Sequence, residues 1–196
     1  FPTDDGPVTA VREMSFDVSP GETLAVVGES GSGKTVTAMS IMGLHPKGTK
    51  VSGSINLLGD ELVAMPVKQL RKLRGKDVAM IFQDPMTAMN PVFTVGSQIS
   101  EAIRIHDSSV NKEQGMKRAA ELLDAVGVPE PDRRARQYPH EFSGGMRQRA
   151  LIAMAIANQP KLLIADEPTT ALDVTIQAQV IEVMQEAQKL TGAAMM

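Results

Sequence analysis

Two glycine-rich turns stand on this chain, each opening an apolar helical pattern. The first is Gly28-Glu29-Ser30-Gly31-Ser32-Gly33-Lys34-Thr35. Its spacing, G-x-x-x-x-G-K-[ST] between an apolar run and a helix, suits phosphate chemistry. Glycines let backbone N–H groups converge on phosphate oxygens, and the helix N-terminus adds its positive dipole end. On this reading Gly28, Glu29, Ser30, Gly31, Ser32 and Gly33 form a cradle. Lys34 reaches the β- and γ-phosphates, and the Thr35 hydroxyl ligates Mg2+. The second turn is Ser143-Gly144-Gly145, within YPHEFSGGMRQR. Ser143 has the chemistry of a helix N-cap, but the same turn offers amides and a hydroxyl to an anion. These residues alone leave both roles open. Two phosphate-holding turns on one chain suggest one nucleotide held from both sides.

A third stretch, LLIADEP, puts Asp166 at the end of an apolar strand and Glu167 directly after it. An acid in that place can hold Mg2+, here through water. The acid after it can polarise an attacking water as general base. Gln83 follows the apolar run VAMIF and opens QDPMTAMNP. A neutral amide there can ligate Mg2+ or orient water without adding charge. Strand-end acids and a lone glutamine are commonly structural, so their chemical reading depends on the company of the first turn.

The elements around these residues alternate. GETLAVVG reads as a buried strand ahead of the first turn, and KTVTAMSIMGL as a helix closed near Gly43. Val51, Gly53, Ile55 and Leu57 alternate with polar neighbours, and Gly59-Asp60 supplies a turn, which predicts an antiparallel hairpin. DVAMIF is a second buried strand. Val95, Ile99, Ala102 and Ile103 lie at helical spacing. Asn111 caps a further helix with Gln114 three residues on, Met116, Ala119, Leu123 and Val126 as its stripe, and Gly127 as its stop. Residues 84–143 thus read as a helical insertion. A helix over 144–158, the strand in KLLIADEP, and a last helix capped by Asp173 follow, with Ile176, Val180, Val183, Met184 and Ala187 facing the core. Strands alternating with helices imply a mostly parallel α/β sheet, with ligands at the C-terminal strand ends.

Composition excludes several classes. The 196 residues carry 20 Lys plus Arg against 23 Asp plus Glu, a net charge of −3, which argues against a general nucleic-acid binder. Aromatic residues are 3%, too few for base-stacking platforms. With no cysteine, disulfides and thiolate metal sites are out. No apolar run reaches the length that spans a bilayer. The chain opens on Phe1 rather than Met and stops in TGAAMM, where an apolar run begins to read as a strand. It is read as a fragment.

The first turn, Gln83, SGGMRQR and LLIADEPTTALD, in this order and with a helical segment between, resemble the ATP-binding subunit of an ABC transporter. The resemblance covers essentially the whole chain. VVGESGSGK, MIFQDPMTAMNP, YPHEFSGGMRQR and PKLLIADEPTTALDVT are similar to the ATPases of oligopeptide and dipeptide importers, whose near relatives take up glutathione or nickel. Phe142 and Met146 depart from the common family signature but are usual in that branch.

The resemblance implies a P-loop NTPase core with a mostly parallel sheet, an N-terminal antiparallel β subdomain and an inserted helical subdomain. The core is expected over 1–83 and 144–196, and the helical subdomain over 84–143. It implies ATP and Mg2+, with Thr35, Gln83 and Asp166 on the metal and Glu167, Gln83 and Lys34 in catalysis. Ser143, Gly144 and Gly145 are then expected to close over the γ-phosphate on a second, identical or homologous subunit in a head-to-tail dimer. Asp173 would cross that interface, Phe1 would stack on adenine, and Gln83 would sense the membrane subunits. Two integral membrane permeases and, indirectly, an extracytoplasmic solute-binding protein are the implied partners, and the cytoplasmic face of the cell membrane the implied place. The family's switch histidine falls beyond this chain. His45, His106 and His140 are in the wrong places to replace it, so slow turnover is expected of these residues alone. A soluble ABC ATPase acting on ribosomes or DNA would usually carry a second cassette or basic insertions. A P-loop regulatory protein would not need the Ser-Gly-Gly signature.

Overall fold

The computed structural model describes residues 1–3, 6–82, 88–169 and 174–196. Strands β1 (Pro2–Thr3) and β2 (Gly6–Pro7) pair antiparallel at the N-terminus, and helix α1 (Lys34–Met42) follows the first glycine turn. A second antiparallel hairpin, β3 (Asn56–Leu57) with β4 (Asp60–Glu61), leads through helix α2 (Val67–Leu73) to strand β5 (Val78–Ile81). Helices α3 (Val95–His106) and α4 (Lys112–Ala125), the single turn α5 (Pro131–Arg134) and a 3-10 turn at Pro139–Glu141 come next. Helix α6 (Gly144–Ile156), strand β6 (Leu162–Ala165), helix α7 (Val174–Thr191) and strand β7 (Ala194–Met195) complete the order.

Strands β5, β6 and β7 form a three-stranded parallel sheet in that order, with Val78 opposite Leu162 and Leu162 opposite Ala194. Its strands are apolar throughout because both faces are covered. Ala79, Ile81 and Leu163 join the larger core with Val95, Ile99 and Ile103 of α3, Leu123 of α4, Ile152 of α6 and Val180 of α7. The alternate residues Val78 and Ile164 face a smaller core with Ala38, Ile41 and Met42 of α1 and Leu70 of α2. The period-two alternation of a strand therefore joins one helical layer to each side. The mixed α/β architecture is as expected: a parallel sheet, antiparallel pieces in the N-terminal part, and helices between β5 and β6.

The helix ends follow local chemistry. Asn111 and Gln114 form the expected capping box, each side chain taking the other's backbone N–H at 2.9 Å. Gly127 stops that stretch in the left-handed region at φ 73°. Gly43 ends α1 at φ 61°, and Arg74 donates to Met42 O at 2.7 Å and Gly43 O at 2.8 Å, satisfying carbonyls the helix leaves open.

Two expectations need correction. GETLAVVG does not form a strand. Thr23 makes one parallel bridge to Met195, Leu24 N–H donates to Met195 O at 2.8 Å, and pairing stops there. The backbone of Met196 is bonded to β6 through Leu163 O and the Ala165 N–H. Val27, expected inside, is 93% exposed. Apolar residues favour a strand only where a partner strand runs beside them. The hairpin turn also falls one residue earlier than expected. It is Leu58-Gly59, at φ 52° and 102°, the left-handed pair that matches the twist of a two-residue hairpin.

Glu61 holds that hairpin. Its carboxylate accepts the Ile55 and Val63 N–H groups, each at 2.9 Å, and the Ser54 hydroxyl. The Ser54 hydrogen bond, with the backbone donors behind it, lowers the pKa of this exposed group. A lowered folded pKa means that the contribution is present above the ordinary glutamate range and is lost as pH falls through the folded value. In an NMR titration the Ile55 and Val63 amides should move together with a midpoint below the ordinary glutamate value, and Glu61→Gln should abolish the movement. A midpoint at the ordinary value would contradict this.

Where α3 and α4 cross, Gly115 has no room for a side chain: a Cβ there would meet the Ser100 hydroxyl, which is buried without a hydrogen-bond partner. Gly96 is similarly confined, with the Ala135 carbonyl 2.6 Å from where its Cβ would sit. Gly115→Ala should destabilise by about 1–3 kcal/mol in denaturant unfolding although alanine is the better helix former. Ser100→Ala, by removing the hydroxyl, should shrink that penalty. Equal penalties with and without Ser100 would place the strain elsewhere.

Candidate functional site

The first glycine turn owes its shape to glycines that have no substitute. Gly31 and Gly33 lie in the left-handed region at φ 80° and 97°. A Cβ on Gly33 would stand 2.7 Å from Val11 Cγ2 and 3.1 Å from Ala10 O, and one on Gly28 would stand 2.6 Å from Ser32 Oγ. The loop is therefore folded tightly on itself and backed by Ala10-Val11. Helix α1 opens from it with no side-chain cap at Gly33. Its first N–H groups thus have no capping oxygen, the condition under which a helix N-terminus takes an anion.

Two pairs of residues meet here. The Thr35 hydroxyl donates to Asp166 Oδ1 at 3.0 Å. The Lys34 ammonium lies 3.5 Å from Glu167 Oε1 and donates to Gly28 O at 2.8 Å and Glu29 O at 3.0 Å. The first two residues of α1 are thus joined to the two acids that follow β6. Strand pairing sets the acids' position, since the Asp166 N–H donates to Ile81 O at 3.0 Å and extends the β5–β6 ladder. Asp166 is buried, whereas Glu167 is half-exposed. Glu167 has φ 47°, a left-handed backbone costly for a residue with a side chain, and Pro168 after it disfavours the right-handed helical alternative. Such local strain is a frequent mark of sites with a chemical task.

The donor set is hard oxygen: a hydroxyl and a buried carboxylate in direct contact. That chemistry fits Mg2+. Beside it are an ammonium and a glycine loop fit for phosphate, and a second carboxylate fit to take a proton.

The remaining expected residues fall elsewhere. Ser143 caps α6, its hydroxyl accepting from the Met146 N–H at 3.3 Å, and it is exposed. A Cβ on Gly144 would meet only open space, whereas one on Gly145 would touch Ile176 Cγ2 at 3.3 Å. Among the described residues no hydrogen bond joins Ser143–Gly145 to the first glycine turn. Phe1 exchanges backbone hydrogen bonds with Val8, at 2.8 and 2.9 Å. Gln83 and Asp173 lie outside the described residues. His140 stacks on Tyr138 at 5.6 Å between ring centres, a local structural role. The residues that sequence reasoning missed are Ala10 and Val11, which back Gly33, and the direct Lys34–Glu167 contact. Neither has a local signal, because each depends on chain segments meeting in space.

Residues 11–170 match the ABC transporter family. The chain is 54% identical over 196 residues to the oligopeptide transport ATP-binding protein OppD of Mycobacterium tuberculosis, covering 100% of this chain and 32% of that protein. It is 56% identical over 191 residues to OppD of Bacillus subtilis, covering 96% and 53%, respectively. The dipeptide transport ATP-binding protein DppD of Bacillus subtilis is 53% identical over 196 residues, with 99% and 58% covered. The chain thus spans 32% to 58% of the length of these relatives. Among solved structures it is similar to a dimeric ATP-binding cassette in a post-hydrolysis state bound to ADP and Pi, with a TM-score of 0.81 and 26% identity over 95% of this chain and 78% of that one. The dimeric structure of a bacterial ABC transporter cassette shares the fold at a TM-score of 0.85 and 24% identity, over 100% and 82%. With the family matched over residues 11–170, and with relatives above half identity across nearly the whole chain, the chain belongs to the ABC transporter family.

Proposed function

We propose that this chain binds ATP and hydrolyses it to power the import of peptides. The observation that carries this is the meeting of Lys34 and Thr35 with Asp166 and Glu167. The loop amides of residues 28–35 and the Lys34 ammonium hold the phosphates. Thr35 and Asp166, with Gln83, would hold Mg2+, which would supply positive charge against the negative charge developing on the phosphoryl group. Glu167 accepts the proton of the attacking water as the new oxygen–phosphorus bond forms and the bond to the ADP oxygen breaks. ADP and phosphate are the products. Phe1 serves as the adenine contact.

Ser143–Gly145 complete the site of a second, head-to-tail subunit, with Asp173 at the same interface. Ser143 stands exposed at this helix start, with Gly144 and Gly145 half-buried behind it. In this reading residues 84–143 form the helical subdomain between the two parts of the ATP-binding core, and Gln83 links it to the site. Two permeases and a solute-binding protein convert the cycle to transport at the cytoplasmic face of the cell membrane. No described helix is long and apolar enough to cross a membrane. The peptide assignment draws on the names of the relatives, which carry oligopeptides and dipeptides.

Glu167→Gln should retain ATP binding, lose about 10²- to 10⁴-fold in phosphate release and accumulate as a dimer under ATP in light scattering. Full turnover in that variant would remove Glu167 from the chemistry. A monomer at saturating ATP would contradict the two-subunit site.

A further inference from the structure

The Lys34 ammonium has three hydrogens to donate, and three acceptors surround it. Two are carbonyls of its own loop, Gly28 O at 2.8 Å and Glu29 O at 3.0 Å; the third is Glu167 Oε1 at 3.5 Å. Thr35 is engaged in the same manner with Asp166, at 3.0 Å. The side chains of Lys34 and Thr35 are thus both engaged with other members of the site. A phosphate settling in the loop competes with these three oxygens for the ammonium.

Glu167 is the acceptor with a task of its own. The oxygen that holds Lys34 is an oxygen that a reacting water would need. The two partners differ in freedom. Glu167 sits on a left-handed backbone ahead of Pro168, whereas Lys34 carries its charge on a flexible four-carbon stem. Of the two, the lysine moves. Their side chains are 20% and 36% exposed, so solvent screens the pair and keeps it weak enough to open.

We propose that Lys34 is a latch on Glu167: phosphate entering the loop draws the ammonium away from this carboxylate, and departure of phosphate lets the pair close again. Loss of the Lys34 contact at Glu167 is thereby tied to filling of the loop, and the closing pair competes with rebinding of product. This rests on the assignment of residues 28–35 to a nucleotide phosphate.

The probe is ADP without divalent metal, titrated by calorimetry into the wild type, Glu167→Gln, Lys34→Ala and the double variant. A latch predicts that Glu167→Gln tightens ADP about two- to five-fold when Lys34 is present, the range for a partly exposed pair, and has no effect in the Lys34→Ala background. Equal tightening in both backgrounds would mean charge repulsion alone and would overturn the latch. Acylation of Lys34 in the ADP-free protein, read by mass spectrometry, needs no lysine variant. Glu167→Gln should raise its labelling about two- to five-fold relative to the other lysines. An unchanged rate overturns the proposal. Failure of the folded wild type to bind ADP at all would overturn the nucleotide reading and the latch with it.

Discussion

The chemistry of this chain hangs on one hydrogen bond between residues 131 positions apart, from the Thr35 hydroxyl to Asp166 Oδ1 at 3.0 Å. Neither end of it is free to wander. Thr35 is the second residue of α1, whose buried face of Ala38, Ile41 and Met42 packs on Val78 and Ile164 of the sheet. Asp166 continues the register that sets Ile81 against Ala165. A one-residue slip of β6 would turn Ile164 into the wrong core and carry the acid away from the loop, because strand side chains alternate faces. Register, helix docking and site geometry are therefore one constraint.

The same constraint explains the strained residue. With Asp166 committed to Thr35, the next position must turn sharply for its carboxylate to reach the loop, and Glu167 does so on a left-handed backbone. The cost, about 1–2 kcal/mol, is small beside the burial of Leu163, Ile164 and Ile81, which anchors the strand ends on both faces of the sheet. Two cores of unequal size thus hold a small polar site, in which Thr35 meets Asp166 and Lys34 meets Glu167.

Much of this was legible in the sequence, for physical reasons. Asn111-x-x-Gln114, Gly43 and Gly127 act through bonds within a few residues, so local pattern reading finds them. The glycine turn and the acid pair carry their chemistry in residue type and spacing. Their meeting across the fold came from the resemblance to a family, since spacing alone cannot say which distant segments touch. What was not legible needed a partner in space. Leu24 to Val27 have the composition of a buried strand, yet among the described residues the ladder goes no further than the Thr23–Met195 bridge and the Leu24 N–H bond. Leu58 occupies a left-handed turn position without being glycine, so residue type alone points one position later, to Gly59-Asp60. The packing of Val11 on Gly33 and the Lys34–Glu167 pair have no local trace at all.

The account stands on Thr35 and Asp166 acting as two sides of one metal site. The direct measurement is calorimetry of a non-hydrolysable ATP analogue, with and without Mg2+, on the wild type, Thr35→Ala, Asp166→Asn and the double variant. One shared ion predicts that Mg2+ tightens binding to the wild type, that each single substitution removes this gain, and that the double variant loses no more than either single. A Mg2+ gain that survives intact in the double variant would contradict it.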